Sequence, residues 1–280
     1  MMRTTVRRFA RLLRPLALTA ALTLVIVAVA EAHDMFLKPV LYFAEPGADV
    51  LVRVLNGTFS SSANSIARPR VGDVSVVGPA GRTRLDTAAW SATGDTSTFT
   101  VHTGAAGTYV LGASTRASII AQEAKAFNAY LADDGIPDVL ELRRKSGEMD
   151  KPVRERYSKY VKALLQVGSE RSTDALTPLG YPAELVPVVN PYTLRVGDTL
   201  RVHTMIEGTA AAGQFVQYGG RLPNGARIAQ RSTRSDSGGV VRIPLRTAGV
   251  WYVKFINMTQ LVRDTADYES QWATLTFQVR

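Results

Sequence analysis

The chain contains no cysteine, and that absence excludes thiol nucleophiles, thiolate zinc sites, iron–sulfur clusters and any disulfide framework. It also excludes a lipid anchor attached through a lipobox thiol. Histidine is nearly as scarce, with only His33, His102 and His203 available as imidazole donors. Ser, Asp and His all occur, but no G-x-S-x-G elbow places a nucleophile on a strand-to-helix turn, so hydrolase chemistry has no support. The glycines of GGRLPNGARIAQRSTRSDSGG lack a strand-to-helix transition, which argues against a phosphate loop. Lys and Arg are interspersed with acids, as in RRKSGEMDKPVRERYSKYVK, without the aromatic interleaving or one-sided stripe of a nucleic-acid binder. No nucleic-acid partner is expected.

What is present begins with an export signal. MMRTTVRRFARLLRP carries five arginines and no acid, and LALTAALTLVIVAVAEA follows as an apolar run ending in small residues. The run from Leu16 to Ala30 is short for a bilayer span, which needs roughly 20 residues, so residues 1–32 read as a cleaved signal peptide and not as an anchor. Arg7 and Arg8 lack the flanking residues of a twin-arginine signal, which favours ordinary secretion and a periplasmic protein with no stable membrane insertion after cleavage. The net charge is +9, of which the leader, with five arginines and Glu31, carries +4 and the mature chain +5.

Two cleavage points satisfy the A-x-A pattern. A cut after Ala32 makes His33 the first residue, whose free amine and imidazole can chelate one metal together. A cut after Ala30 places His33 third, where amine, two amides and imidazole suit square-planar Cu(II) or Ni(II).

The mature chain reads as mainly β, with two related halves. EPGADVLVRVLNGT (45–58) resembles RVGDTLRVHTMIEGT (195–209), and TGAAGTYVLGAST (103–115) resembles RTAGVWYVKFINM (246–258). Val50, Val52 and Val54 alternate with Leu51 and Arg53, the period-two pattern of a strand with one buried face. Turn signals such as NG, SGG and AG punctuate both halves. The expectation is two immunoglobulin-like or transthyretin-like antiparallel β-sandwiches, at 33–117 and 193–280. Between them, 118–176 reads as a helical insertion. One helix is capped by Ser118 and stopped by Gly135, a second starts at Pro137, and a third runs from Val153 with Tyr157, Tyr160, Val161, Leu164 and Leu165 on its apolar side. These apolar stripes are expected to pack as core against the first sandwich. The Pro-rich stretch 177–192 reads as a semi-rigid linker.

His102 and His203 each sit opposite the apolar residues of their strand, on a face that is either solvent or an inter-domain surface. Either could ligate a metal or be an ordinary polar surface residue. The acids Asp133–Asp134 and Asp264, Asp267 and Glu269 could bind a cation, or be solvated charges at helix ends and loops.

Five blocks together resemble a bacterial periplasmic family whose domain has no assigned function and which is often described as a nickel or cobalt uptake accessory of the "nickel uptake substrate-specific" type. They are AHDMFLKP (32–39), FNAYLADDGIPDVLELRRKSG (127–147), RERYSKYVKALLQVG (154–168), AELVPVVNPYTLRVGDTLRV (183–202) and ESQWATLTF (269–277). The resemblance implies a non-enzymatic protein that begins with histidine and handles a divalent metal, nickel or cobalt, near a membrane transporter. His33 is the position that carries over. Relatives often show His-Met where this chain has Asn257-Met258, a departure that removes an imidazole. The expected metal donors are therefore His33 with Asp34, completed by His203 or His102. Copper is a further candidate metal, and a non-metal binding or structural module of the cell envelope is the alternative. A copper oxygenase built on an N-terminal histidine brace would need a second histidine within reach of the same metal.

Overall fold

The computed structural model describes residues 33–280, so the segment read as a signal peptide lies outside the described residues. The first half contributes β1 (Asp34–Pro39), β2 (Phe43–Ala44), β3 (Asp49–Gly57), β4 (Val71–Gly78), β5 (Gly81–Arg84), β6 (Ser91–Thr93), β7 (Thr96–His102), β8 (Gly107–Thr115) and β9 (Ser118–Gln122). Two helices follow, α1 (Ala124–Asp133) and α2 (Pro137–Lys145), and then β10 (Val153–Val167). The second half contributes β11 (Ala183–Pro187), β12 (Thr199–Ile206), β13 (Thr209–Ala210), β14 (Phe215–Arg221), β15 (Arg227–Arg234), β16 (Val240–Pro244), β17 (Gly249–Gln260) and β18 (Tyr268–Val279). The described chain is mainly β, in three sheets.

The largest sheet runs β15-β14-β17-β18-β10-β8-β4-β5, with β2 and β9 pairing on β10. Its order is mirrored about the β18–β10 junction, where Glu155–Ala163 pair in parallel with Tyr268–Thr276. A mirrored order about a parallel pair corresponds to a two-fold axis along the strands, which exchanges the faces of the sheet. The smaller sheets accordingly lie on opposite faces. Thr274 and Thr276 donate side-chain hydrogen bonds to the Met35 and Leu37 carbonyls of β1 at 2.9 and 2.6 Å, which puts β1-β3-β7-β6 on one face. Lys162, in register with Leu275, points the other way and donates to Glu184 Oε1 of β11 at 2.7 Å, which puts β11, β12, β13 and β16 on the other. The repeated segments occupy matching places: 45–58 supplies β3 and 195–209 supplies β12, while 103–115 supplies β8 and 246–258 supplies β17.

Each face buries its own core. Met35, Leu37, Val50, Val52 and Val54 meet Leu111, Val161 and Leu165 on one side. Leu185, Leu200 and Ile243 meet Val253, Leu275 and Phe277 on the other. The alternation read in β3 is seen directly, since Val50, Val52 and Val54 are buried while Leu51 and Arg53 are exposed.

Three local expectations are corrected. Val153–Val167 is a 15-residue strand and not a helix. As the central strand between two cores it sends Val161, Ala163, Leu165 and Val167 to one and Leu164 to the other. Apolar residues on both faces erase the period-two signal and leave a pattern that also fits a helix. Ser118 opens strand β9, which pairs with the start of β10, and caps no helix; α1 begins six residues later with Phe127, Tyr130 and Leu131 buried. The helices do pack as core, but in a separate cluster with Ile256, Tyr268 and Trp272 of β17 and β18 and Val153 at the start of β10, and not in the core of the first half. In addition, the segment read as a linker contains β11, a fully buried strand. Gly135 does end α1, at φ +83°, a left-handed conformation that a side chain disfavours.

Candidate functional site: a cavity at the head of β1

The first residues of β1 open onto a cavity of about 540 Å³ where the two halves and the end of α1 meet. The strand β1 presents Asp34, Phe36 and Lys38 on one face, because alternate side chains share a side. Against them β17 presents Lys254, Tyr252 and Val250 in the same alternation. The loop after β3, the C-terminal end of α1 and the β14–β15 hairpin complete the wall. The hairpin bends at a register shift between Tyr218 and Gly220. A side chain at Gly220 would meet the Val250 carbonyl at 2.2 Å, so only glycine lets the hairpin lie this close to β17.

Three tiers follow from this pairing. At the first, Lys254 Nζ donates to Asp34 Oδ2 at 2.5 Å and to Asp134 Oδ1 at 3.0 Å. Burial alone would lower the Lys254 pKa, but Asp34 and Asp134 outweigh it and hold the ammonium above its ordinary range. Burial raises Asp134, with Lys254 pulling the other way. The remaining oxygen of Asp34, Oδ1, is buried and has no hydrogen-bond partner among the described residues. A buried acceptor left unpaired normally costs about 1–3 kcal/mol, so it marks a place where another group can be accommodated. Behind it, Lys159 Nζ donates to the His33 carbonyl at 2.5 Å and to Asn56 Oδ1 at 2.7 Å. Burial pulls the Lys159 pKa down to about 8, Asp34 opposing. These bonds fix the backbone of His33, which is one of the residues lining the cavity.

The middle tier is aromatic. Phe36, Phe59 and Tyr252 form a buried cluster with ring centroids 4.9–5.3 Å apart, and the Tyr252 hydroxyl donates to Gln230 Oε1 at 2.7 Å. The far tier is basic, with Arg221 and Arg227 lining the cavity beyond the rings.

His33 and Asp34 are thus brought together, and with them Asp133 and Asp134. His102 and His203 are not. His102 bonds Asp49 at 2.9 Å at the start of β3, with both side chains more than 70% exposed. The cavity touches Gly57 at the other end of that strand, eight residues or about 26 Å away at the usual strand rise. His203 sits mid-strand in β12, paired with Val186 and Val240, in the small sheet on the opposite face. Asn257 projects from the other side of β17 to Lys254 and donates to Gln271 Oε1 at 3.1 Å, so its identity does not bear on the donors at His33. Asp264 pairs with Arg156, whose other contact is Glu269, and Asp267 accepts from the Arg154 backbone, all away from the cavity wall. Among the described residues, no three His, Asp or Glu side chains are grouped to hold a metal ion by themselves.

Lys159, Lys254 and Asn56 were not singled out by sequence. The usable signal was Lys254, the one charge in the buried run GVWYVKFI of β17. Lys159 was hidden by reading β10 as a helix with a polar side.

No helix of the described residues is long and apolar enough to cross a membrane. None of the curated proteins compared with the chain matches it. The model of a domain of unknown function, DUF4198, matches residues 30–259, which include His33, the cavity wall and every strand of the central sheet but β18, and the chain belongs to that family.

Proposed function

We propose that this is a non-enzymatic, periplasmic protein that binds and delivers a divalent metal, nickel or cobalt, to a membrane transporter, with His33 organising the site. The observation that carries the reading is the buried, unpartnered Oδ1 of Asp34 beside His33 at the head of the cavity. If the signal is removed after Ala32, the amine and imidazole of His33 provide two nitrogen donors on a backbone already held by Lys159, and Asp34 Oδ1 provides an oxygen. Imidazole, amine and carboxylate together suit first-row divalent ions. Preordering of His33 by Lys159 lowers the entropy lost on binding. The layered halves on opposite faces of one sheet fit a pair of immunoglobulin-like or transthyretin-like sandwiches, joined edge to edge and used as a rigid scaffold for this site.

Calorimetric titration of Ni(II) into protein beginning at His33 is expected to give a dissociation constant of about micromolar or below, or roughly −8 kcal/mol. His33→Ala is expected to abolish it, and equal titrations for the two proteins would overturn the reading. Lys254 favours a second reading, a cell-envelope binding module without metal. Its ammonium already offsets part of the charge of Asp34 and Asp134, so these acids have less to offer a cation. On that reading Ni(II) leaves the protein unchanged, and a ligand perturbs the Tyr252 tier alone.

A further inference from the structure

The basic end of the cavity is built in a way that protein stability alone does not favour. Of the residues lining it, Arg221 lies directly across from Arg227 in β14–β15, and behind the lining Lys38 lies directly across from Arg53 in the β1–β3 register. Like charges opposite one another on a sheet are destabilising. None of these four cations forms a salt bridge with an acid of the described residues. Lys38 is half-buried, and after burial itself the groups acting on it are Arg221 and Arg53, both of which lower its pKa. It donates instead to the Phe59 carbonyl at 3.3 Å and lies 4.9 Å from the centre of that ring. Arg221 is held by the Gly225 carbonyl at 3.1 Å and by the Ser60 hydroxyl, both neutral acceptors.

The opposite end carries Asp34, Asp133 and Asp134 against the single ammonium of Lys254. Tyr252 lies between and feels both ends, Lys254 and Asp34 from one and Arg227 and Arg221 from the other, though burial dominates its raised pKa. Asp34 and Lys38 are four positions apart on β1, about 13 Å along a strand. A cavity of about 540 Å³ is an order of magnitude larger than the volume of one water molecule, about 30 Å³, and so far exceeds what a lone ion requires.

We propose that Arg221 and Arg227, backed by Lys38 and Arg53, form an anion subsite for the carboxylate arms of a small polycarboxylate, so that the metal enters as a carboxylate chelate and not as a bare ion. This rests on the metal reading of the His33 end. The guanidinium groups take the carboxylates through charge-assisted hydrogen bonds, and the anion relieves two like-charge pairs. The metal then sits at the His33–Asp34 end, and the rings of Phe36, Phe59 and Tyr252 floor the space between.

The test uses the full protein beginning at His33, titrated with Ni(II) alone, citrate alone and a preformed 1:1 Ni(II)–citrate complex, with native mass spectrometry of each mixture. The complex is expected to bind at least tenfold more tightly than Ni(II) and to give a protein–nickel–citrate species. Arg227→Ala, at an exposed strand position, is expected to remove that tenfold advantage and the ternary species while leaving the affinity for Ni(II) alone within twofold. If Ni(II) binds but citrate strips it from the protein with no ternary species, the anion subsite is overturned and the metal reading stands. If citrate binds alone in an Arg227-dependent way and Ni(II) does not bind at all, the metal reading and the chelate cargo fail together.

Discussion

Two buried lysines reach from one half of the molecule to the strand that opens the small sheet of the other, and their surroundings differ. Lys162 of β10 crosses to Glu184 of β11, with both side chains at most 3% exposed. Glu184 also accepts from the backbone N–H groups of Leu179, Gly180 and Tyr181, so both of its oxygens are satisfied. Lys254 of β17 crosses to Asp34 of β1 and shares itself with Asp134, in a place that opens to the cavity and leaves Asp34 Oδ1 unpaired. With one acid, burial prevails and the Lys162 pKa is lowered; with two, it is overcome and that of Lys254 is raised. The closed clasp is complete as a structural element. The open one has spare coordination and a route to solvent, which is what a binding site requires and a structural ion pair does not.

Glu184→Ala strands a buried ammonium and three backbone donors, and removing one partner of a buried pair costs about 3–5 kcal/mol. Chemical denaturation is expected to show a loss of that size, with no change in metal affinity beyond what unfolding explains. At the open clasp, Lys254→Met is expected to cost less, about 1–3 kcal/mol, because water reaches Asp134 and its burial-raised carboxyl can take up a proton. Asp134, no longer compensated by Lys254, then has a folded pKa further above its unfolded one. The penalty is therefore full at neutral pH and fades as pH falls through that folded value. Unfolding curves at pH 5 and pH 7 should bring variant and wild type closer at the lower pH, and a pH-independent gap would show that charge is not the cause.

A smaller effect is expected from Lys159, the residue that holds His33. Its folded pKa of about 8 lies below the ordinary lysine value of 10.5, so the unfolded chain binds more protons between those two pH values. That contribution to stability is fully present above 10.5, is lost as pH falls through 8, and is flat below. The stability of wild type relative to Lys159→Met should accordingly rise between pH 8 and 9.5, below the range where ordinary tyrosines ionise. A flat difference would place the Lys159 ammonium in contact with water and loosen the argument that His33 is preordered.

Much of the fold could be read from the chain because half-buried strands advertise themselves. Val50, Val52 and Val54 alternate cleanly, and the internal repeat marks β3 with β12 and β8 with β17. What could not be read was the continuity of the central sheet. Its key strand, β10, is buried on both faces, so the pattern that distinguishes strand from helix is missing, and the parallel β10–β18 pairing joins residues more than a hundred positions apart. The site was half legible for the same reason. His33 and Asp34 stand out as a pair after the segment read as a leader, while Lys254, Asp134 and the loop after β3 reach them only through that sheet. His102 and His203 were attractive for their residue type, which carries no information about which end of a strand, or which face of a sheet, a side chain occupies.

Anomalous scattering locates a metal without assuming its ligands, and so tests directly whether the open clasp at the head of β1 binds one. Crystals of the protein beginning at His33, soaked in Ni(II) and measured at the nickel edge, should show one strong anomalous peak within bonding distance of His33 and Asp34. A peak at His102 or His203 with none at His33, or no peak at all in nickel-saturated crystals, would contradict binding at the open clasp.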